Sequence, residues 1–439
     1  GGDHGEEIHD GNFCMDGLVY PDRTVHTGLL EYKNVYRPAR VISYDKESGE
    51  LVLHNYLDFD NLKDYVKISY ELTQDGLVIS RGKIPEVSAA PHSEGKTNLK
   101  INVPENGKCY LKLIYHLKKE VPLLDEDHIL GFDEIEVSKD GAKCKLAEKW
   151  LQKTAVDSEL QVNENDTQIH IKGREFAYTI DKRTALFTEM KFAGREYLNH
   201  PMELNIWRAP TDNDMYIKAE WKKAHYDKAY TRAYTTEVVQ GKHGVKIVSH
   251  ASVVAETVQK ILDVKITWTI DAAGKIDATI EATKDGEFPD LPRFGVRMFL
   301  DKKLADIRYF GMGPQESYCD KHQAASHGLY RANVGDLHED YIRPQENGSH
   351  YDCEYVELNN SRYGIVASAE KAFSFNASYY TQEELEKKTH NYELIESDSV
   401  VFCVDYALNG IGSNSCGPVV LEQYRFDDVL FRFQFTLIP

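Results

Sequence analysis

Alternation of apolar and polar residues in short segments is the feature that most restricts the fold of this chain. In Val66–Leu72 and Val264–Ile270, apolar side chains occupy every second position. A period of two places those side chains on one face of a β-strand. The turns Gln74–Gly76 and Ala272–Gly274 follow these two segments. The sequence therefore predicts a mainly β chain of antiparallel strands joined by short turns.

Strand signals of this kind divide the chain into regions. Residues 40–146 have strands and polar turns spaced as in a β-sandwich of about 100 residues. Residues 147–439 continue the pattern as one large antiparallel β-unit, with helices expected only at 217–228 and 381–388. The strands predicted in the first of these regions include Arg40–Tyr44, Leu51–His54, Val66–Leu72, Leu99–Val103 and Tyr110–Tyr115.

Residues 1–39 differ from the rest of the chain. An acidic, Gly-rich start is followed by residues 24–36, whose apolar positions recur at helical intervals until Arg37-Pro38. This segment is too short to fold alone, and it is typical of the last loop and helix of a larger α/β unit. Its apolar residues, Leu18, Val19, Leu29 and Leu30, would need other polypeptide to cover them.

Charge and cysteine content exclude several classes of function. The formal net charge is -19, so the chain repels the phosphates of nucleic acid and an anionic membrane surface. A neutral ligand such as a sugar is compatible with this charge. The seven cysteines are scattered without metal-site spacing, and no apolar run is long enough to span a bilayer. We expect reduced thiols and a cytoplasmic protein.

Five stretches have a more distinctive sequence than an ordinary strand or turn. They are polar or Gly-rich loops, and loops of this kind tend to hold functional residues. They are Phe13–Leu18 before Pro21–Arg23, Trp207–Asp214, Gly311–Tyr318, Pro344–Gly348 and Gly410–Pro418. In these stretches, and in their order and separation, the chain closely resembles the β-galactosidases of glycoside hydrolase family 2. The resemblance covers the chain from end to end.

The resemblance implies both an architecture and an activity. Residues 1–39 would be the tail of the catalytic (β/α)8 barrel, residues 40–146 an immunoglobulin-like linking domain, and residues 147–439 the large C-terminal β-sandwich. The fold class expected is thus mainly β, with a short α/β barrel remnant at the N-terminus. The activity implied is hydrolysis of terminal β-galactosides, of the lactose type, with retention.

The resemblance assigns no catalytic residue to this chain. Retaining hydrolysis needs two carboxyl groups about 5–5.5 Å apart. In the family both are glutamates on earlier barrel strands, and no stretch here matches either motif. We interpret Glu6 and Glu7 as a solvated acidic loop, and we expect the chain alone to be inactive.

The resemblance implies an ion site near the sugar. Phe13 would give its backbone carbonyl to a sodium ion and approach the substrate, and Asp16 would give a side-chain oxygen. The family usually has Asn at the position of Asp16, so the identity of the ion is open. Packing by Phe13 and turn capping by Asp16 is the alternative. A magnesium ion is expected in the upstream barrel and not in this chain.

Two loops of the sandwich are expected to support the substrate. Arg208, Asp212, Asn213 and Asp214 would hold a mobile loop through a buried polar network, which we favour over direct substrate contact. Position 216, often Gly in the family, is Tyr216 here, so the movement of that loop would change. In the other loop, Ser415 and Cys416 lie closest to substrate, with Cys416 where a stacking tryptophan is usual.

Two other functions remain open at this point. The chain could be a non-catalytic carbohydrate-binding or assembly module, or an aldose mutarotase, which needs a paired histidine and carboxylate in a sandwich groove. His350 and His390 are interpreted as structural residues. The partners expected are a β-galactoside, the upstream barrel of the same enzyme and further copies in a homo-oligomer.

Overall fold

The computed structural model describes residues 6–11, 17–152, 160–241 and 244–439. It contains two compact units. The first comprises Gly1–Lys145 with His322–Leu329, and the second comprises Leu146–Lys321 with Tyr330–Pro439. Strands dominate both units, so the predicted mainly β fold class is confirmed. No helix in the described part of the chain is long and apolar enough to cross a membrane.

The first unit is a two-sheet sandwich preceded by a helix. Helix α1 (Thr27–Val35) falls inside the segment predicted to be helical. One sheet has the order β1-β2-β5 and the other the order β4-β3-β6-β7. The elements are β1 (Ala39–Tyr44), β2 (Glu50–Asn55), α2 (Leu62–Tyr65), β3 (Val66–Gln74), β4 (Leu77–Lys83), β5 (Glu94–Asn98), β6 (Cys109–Leu117) and β7 (Ile129–Glu136). Leu51 and Leu53 of β2 share one core with Leu111 and Leu113 of β6.

One predicted strand of the first unit is wrong. Leu99–Val103 alternates as expected, but the strand ends before it, at Asn98. The amide of Leu99 donates to the carbonyl of Gly49 at 2.7 Å, and the chain then leaves the β2 ladder. Leu99 is buried, and Ile101 and Val103 pack against the same core. The alternation therefore reflects side-chain packing without strand pairing.

A short segment from far along the chain completes the first unit. His327 donates its backbone N–H to Glu134 at 3.0 Å, and its Nδ1 lies 2.7 Å from the same carboxylate. Its ring stacks on Tyr110 with the centroids 4.2 Å apart. His322–Leu329 is thus anchored by a mostly buried side-chain pair that sequence spacing could not reveal.

The second unit begins with a small sheet. This sheet has five strands in the order β12-β11-β10-β9-β8. Helix α3 (Lys145–Leu151) precedes it in the chain. Its strands are β8 (Gln161–Glu164), β9 (Gln168–Lys172), β10 (Phe176–Asp181), β11 (Leu186–Phe192) and β12 (Arg195–Glu196).

A sheet of twelve strands forms the main part of the second unit. Its path runs β13-β18-β23-β22-β24-β17-β16-β15-β14, and β19, β20 and β21 join off this path. Neighbouring strands along this path pair antiparallel, as predicted, and so do β19 with β21 and β21 with β22. The elements are β13 (Leu198–Asn205), α4 (Ile217–Lys223), β14 (Tyr230–Gly241), β15 (Gly244–Val254), β16 (Leu262–Asp271), β17 (Ile276–Lys284), β18 (Arg293–Asp301), β19 (Asp306–Gly313), β20 (Ser326–Asn333), β21 (Ser349–Asn359), β22 (Gly364–Ser378), α5 (Gln382–Lys387), β23 (Ser399–Leu408) and β24 (Leu430–Ile438).

The hairpin β16–β17 shows how the sequence pattern becomes a buried face. Ile266 pairs with Ile280, and Trp268 pairs with Ala278. All four side chains belong to the main core, while their neighbours along the strands are less buried. Gly274 closes the turn with a φ of 90°, a conformation that glycine reaches without a steric cost.

Candidate functional site

The loop that leaves β23 is the centre of the candidate site. We call residues 410–418 the 410–418 loop. At Gly412 the φ is +67°, and a Cβ there would lie 2.6 Å from the side chain of Val420. Both the left-handed backbone and the close contact require glycine. The glycine at position 412 is therefore explained by the geometry of the loop.

Arg208 forms hydrogen bonds with the backbone at the start of the 410–418 loop. Its Nη1 donates to the carbonyl of Asn409 at 2.5 Å, and its Nη2 donates to the carbonyl of Gly410 at 3.1 Å. Asp214 accepts two further hydrogen bonds, from Nε at 3.1 Å and from Nη2 at 2.7 Å. Burial by itself lowers the pKa of Arg208, but Asp214 outweighs it, so the pKa is raised. The guanidinium therefore stays charged inside the protein.

Asp214 is positioned by a single turn of 3-10 helix. The turn spans Asp212–Asp214. The amide of Thr211 donates to Asp214 Oδ2 at 2.9 Å, and the amide of Asp214 donates to the carbonyl of Thr211 at 3.0 Å. These bonds fix the position of the Asp214 carboxylate beside Arg208. Asp212 is more exposed, and it exchanges hydrogen bonds with Gln345 at 3.1 and 3.2 Å.

Asp320 and Asn213 hold the next residues of the loop. Asp320 accepts the backbone N–H groups of Ile411 at 2.9 Å and Gly412 at 2.7 Å. Asn213 Nδ2 donates to the carbonyl of Gly412 at 2.8 Å. Asp320 was missed by the sequence reasoning. Its only signal was its place two residues after the distinctive Gly311–Tyr318 stretch.

A second buried ion cluster lies next to Arg208. Arg293 forms a bidentate pair with Asp405, with Nε–Oδ1 at 3.2 Å and Nη2–Oδ2 at 2.6 Å, and reaches Glu346 Oε1 at 3.1 Å. The amide of Glu346 donates to the carbonyl of Ala209 at 3.0 Å. Burial raises the pKa of both Asp405 and Glu346, and Arg293 opposes the shift.

Glu316 is a buried carboxylate with a lowered pKa. Burial would raise its pKa, but the Lys321 ammonium, the Tyr341 hydroxyl and the Gly348 amide lower it to about 2. Lys321 Nζ and the Tyr341 hydroxyl both lie 2.5 Å from Glu316 Oε1, and the Gly348 amide lies 2.9 Å from Oε2. This carboxylate joins the Gly311–Tyr318 stretch to the Pro344–Gly348 stretch.

The residues predicted to lie nearest to substrate occupy the tip of the 410–418 loop. Ser415 is half-buried, and Cys416 is an exposed free thiol. The turn is closed by a hydrogen bond from the amide of Gly417 to the carbonyl of Ser413 at 2.7 Å. The geometry brings Arg208, Asn213 and Asp214 to the base of the loop that carries Ser415 and Cys416. Contact with substrate stays a prediction.

Other predicted residues are placed as follows. Phe13 and Asp16 lie outside the described residues. Glu6 and Glu7 are exposed. Tyr216 is helical, with φ -94° and ψ -48°, which is an ordinary conformation for tyrosine. The backbone at position 216 is therefore not strained by having tyrosine where the family often has glycine. The altered movement of the loop stays a prediction.

The two histidines considered have structural surroundings. His350 is buried, its Nδ1 lies 3.2 Å from the carbonyl of Met312, and burial lowers its pKa to about 4. His390 stacks on Tyr392 with centroids 5.1 Å apart. Over the described ranges, no group of three or more His, Cys, Asp or Glu side chains could hold a metal ion.

Three protein-family models match successive parts of the chain. The family model for the beta galactosidase small chain matches residues 172–437. The chain belongs to the beta galactosidase small chain family. The model for beta-galactosidase domain 4 matches residues 51–138, and that for the TIM barrel domain of family 2 glycosyl hydrolases matches residues 1–41. The family recognised from the loops is thus confirmed.

Curated relatives extend over the whole chain. A beta-galactosidase of Actinobacillus pleuropneumoniae is 44% identical over 100% of this chain and 42% of its own length. One of Staphylococcus xylosus is 33% identical over 100% of this chain and 43% of its own length. The chain matches the C-terminal part of these relatives. It spans about two fifths of their length.

A solved structure gives a weaker likeness. The galactose 1-epimerase of Lactobacillus acidophilus NCFM aligns with 64% of this chain and 98% of its own, at 10% identity and a TM-score of 0.29. A score this low supports no argument about function.

Proposed function

We propose that the chain is the C-terminal part of a retaining β-galactosidase that hydrolyses terminal β-D-galactose residues in lactose-type substrates. The two reactive carboxyl groups of retaining hydrolysis, about 5–5.5 Å apart, would come from the barrel upstream. This chain would supply the end of that barrel and the sandwich loops that line the second sugar. Relatives named beta-galactosidase, matched over the whole chain, support this proposal.

The observation that carries the proposal is the apolar surface of residues 17–36. Six large apolar side chains of this segment are between 41% and 70% exposed; they are Leu18, Val19, Val25, Tyr32, Val35 and Tyr36. A contiguous apolar surface is normally covered by partner polypeptide. The matching family model describes a TIM barrel, so the remainder of that barrel is the natural cover.

Helix α1 is held firmly enough to present such a surface. The carboxylate of Glu31 accepts the backbone N–H groups of Gln323 and Ala324, both at 2.8 Å. Asn34 Nδ2 donates to the carbonyls of Phe132 at 3.1 Å and Gln323 at 2.8 Å. These polar contacts fix the helix within the first unit without covering its exposed apolar side chains.

In the complete enzyme the 410–418 loop would form part of the wall for the leaving group. Arg208, Asn213 and Asp320 form four hydrogen bonds with its backbone, and Arg208 forms a fifth with the adjacent Asn409, so Ser415 and Cys416 lie on a rigid base. A rigid base preserves the position of a binding group at low entropic cost. Contact of these two side chains with the second sugar is part of the proposal.

The proposal includes further partners. A sodium ion held by Phe13 and Asp16 would lie beside the galactose, and magnesium would bind in the upstream barrel. Carbonyl and carboxylate oxygens are suitable ligands for hard cations. No step of the proposed role of this chain depends on either ion. We also propose a homo-oligomer of the complete enzyme in the cytoplasm.

The mutarotase alternative receives less support from the second unit. It needs a histidine paired with a carboxylate in a groove. Buried His350 faces a backbone carbonyl, and a cleft of about 300 Å³ in this unit has no histidine in its lining. A non-catalytic carbohydrate-binding module would not account for the exposed apolar surface of residues 17–36, since it would have no barrel to cover that surface.

A reconstitution assay tests the proposed function. The chain alone should not hydrolyse a chromogenic β-galactoside, because it lacks the reactive carboxyls. A chimera that places this chain after the preceding segment of the Actinobacillus pleuropneumoniae relative should hydrolyse it. Turnover by the pure chain, or a folded chimera without turnover, would overturn the proposal.

A matched pair of variants in the chimera tests the barrel contact. Val19→Asp should lower activity at least about tenfold, because it would bury a carboxylate against the barrel. Phe59→Asp, at a side chain 92% exposed in the first unit, should leave activity unchanged. Equal activity of the two variants would contradict the proposed contact.

Replacement of Cys416 tests the wall for the second sugar. In the chimera, Cys416→Trp should tighten binding of a glucose acceptor severalfold, because an aromatic ring stacks on a sugar face. The rate with a simple aryl galactoside should change less. Acceptor inhibition constants and aryl galactoside rates measure the two effects. Equal changes in both would count against this role of position 416.

A further inference from the structure

A cleft of about 300 Å³ lies within the second unit, where β21, β22 and β23 meet residues 423–428. This volume is at the lower end of the range for small-molecule sites, about 300–1,000 Å³. We propose that this cleft binds a neutral saccharide. The proposal goes beyond the proposed hydrolysis, since it concerns binding by residues that have been given no part in that reaction.

The backbone is distorted at an acidic residue that lines the cleft. The register of β21 against β22 shifts between His350 and Cys353, so that β21 carries one extra residue there. Asp352 lies in this bulge with a φ of +53° and lines the cleft. Bulges redirect side chains, and left-handed backbone in a non-glycine residue is concentrated at functional sites.

Aromatic rings supply the apolar part of the lining. They belong to Tyr318, Tyr351, Tyr406 and Tyr424, with Phe373 and Phe426 alongside. Tyr406 is held in place by Phe431, with ring centroids 5.1 Å apart and planes 15° apart. A fixed tyrosine ring offers an apolar face and a polar hydroxyl, which suits the mixed surface of a sugar.

The polar groups of the lining favour a neutral ligand. Asp352 and Asp428 bring two carboxylates, and Arg425 brings one guanidinium, so the charged lining sums to one negative charge. Nε of Arg425 donates to the carbonyl of Val420 at 2.9 Å, which fixes the guanidinium. An anionic ligand would be repelled. Carboxylates accept and the guanidinium donates, as the hydroxyl groups of a sugar require.

The cleft does not have the features of a catalytic or metal site. Burial raises the pKa of the Cys319 thiol to about 12, so the thiol in the lining stays neutral and is no nucleophile. The described chain has no group of three metal-ligating side chains, so Asp352 and Asp428 lack a third ligand of that kind. Binding without chemistry is what the lining supports.

Titration calorimetry on the full 439-residue chain tests the cleft. The probes are methyl β-D-galactoside, lactose, cellobiose, inorganic phosphate and calcium chloride. At least one saccharide should bind saturably in the millimolar range. Asp352→Asn should weaken it about tenfold by loss of a charged acceptor. Asparagine tolerates the left-handed backbone, so the fold of the bulge is kept.

Two further variants and one control variant separate this cleft from any other sugar contact. Ala372→Trp, at an exposed residue of the lining, should abolish binding by filling the space. Asp428→Asn should weaken binding, while Asp427→Asn, at the neighbouring exposed residue outside the lining, should not. The absence of saturable saccharide binding would overturn the proposal. So would tighter binding of phosphate or calcium, or unchanged binding in both Ala372→Trp and Asp428→Asn. Because the assay requires no hydrolysis, its failure is distinct from failure of the proposed galactosidase role.

Discussion

Replacing Arg208 by methionine should destabilise the second unit by about 3–5 kcal/mol, the usual cost of breaking a buried ion pair. The side chains of Arg208 and Asp214 are 0% and 2% exposed, so the carboxylate left behind cannot be solvated without opening the structure. The carbonyls of Asn409 and Gly410 lose their donors in the same change.

Chemical denaturation, followed by tryptophan fluorescence, measures this loss. The guanidinium of Arg208 lies 5.3 Å from the centre of the Trp221 ring, so one of the four tryptophans reports on this region. Arg208→Met with Asp214→Leu should recover a large part of the loss, because no charge is left unpaired. Lys260→Met, which breaks an exposed pair with Asp263, should cost less than about 1 kcal/mol. Equal losses for Arg208→Met and Lys260→Met would show that the buried pair does not hold the loop.

The strands and the family could be predicted from the sequence because both depend on local patterns. Val264–Ile270 alternates, and the structure buries that face against Ile276, Ala278 and Ile280 of the next strand. The segment Leu99–Val103 shows the limit of this reasoning. It alternates equally well, but whether a segment pairs as a strand depends on the neighbouring backbone, which the pattern does not contain.

The loops of the candidate site could also be located, but not their contacts. Arg208 and Asp214 lie six residues apart, so their pairing was open to local reasoning. The partners Asn409 and Asp320 lie far away in the sequence, and only the sheet order brings them to this loop. Asp352 had no signal at all, because a bulge arises from the pairing of two strands.

Arg293→Met should have the other large effect, a loss of about 3–5 kcal/mol at pH 8. Arg293 is completely buried, and it contacts both Asp405 and Glu346. Without Arg293, the carboxylates of Asp405 and Glu346 lose their hydrogen bonds to a guanidinium in the described part of the chain. Arg297→Met is the matched control on the same strand, because Glu203 and Glu383 are about half exposed and can be solvated.

The pH dependence distinguishes this mechanism from a simple loss of packing. Burial already raises the pKa of Asp405 and of Glu346 above their ordinary values of 3.8 and 4.5, and removal of Arg293 raises them further. A carboxyl with a raised pKa favours the folded state below its unfolded pKa, and this contribution is lost as the pH rises through the folded pKa. Arg293→Met should therefore lose less stability near pH 4 than near pH 8. Arg297→Met should lose a similar amount at both, and a flat profile for Arg293→Met would mean that the two carboxyls do not stay buried without their partner.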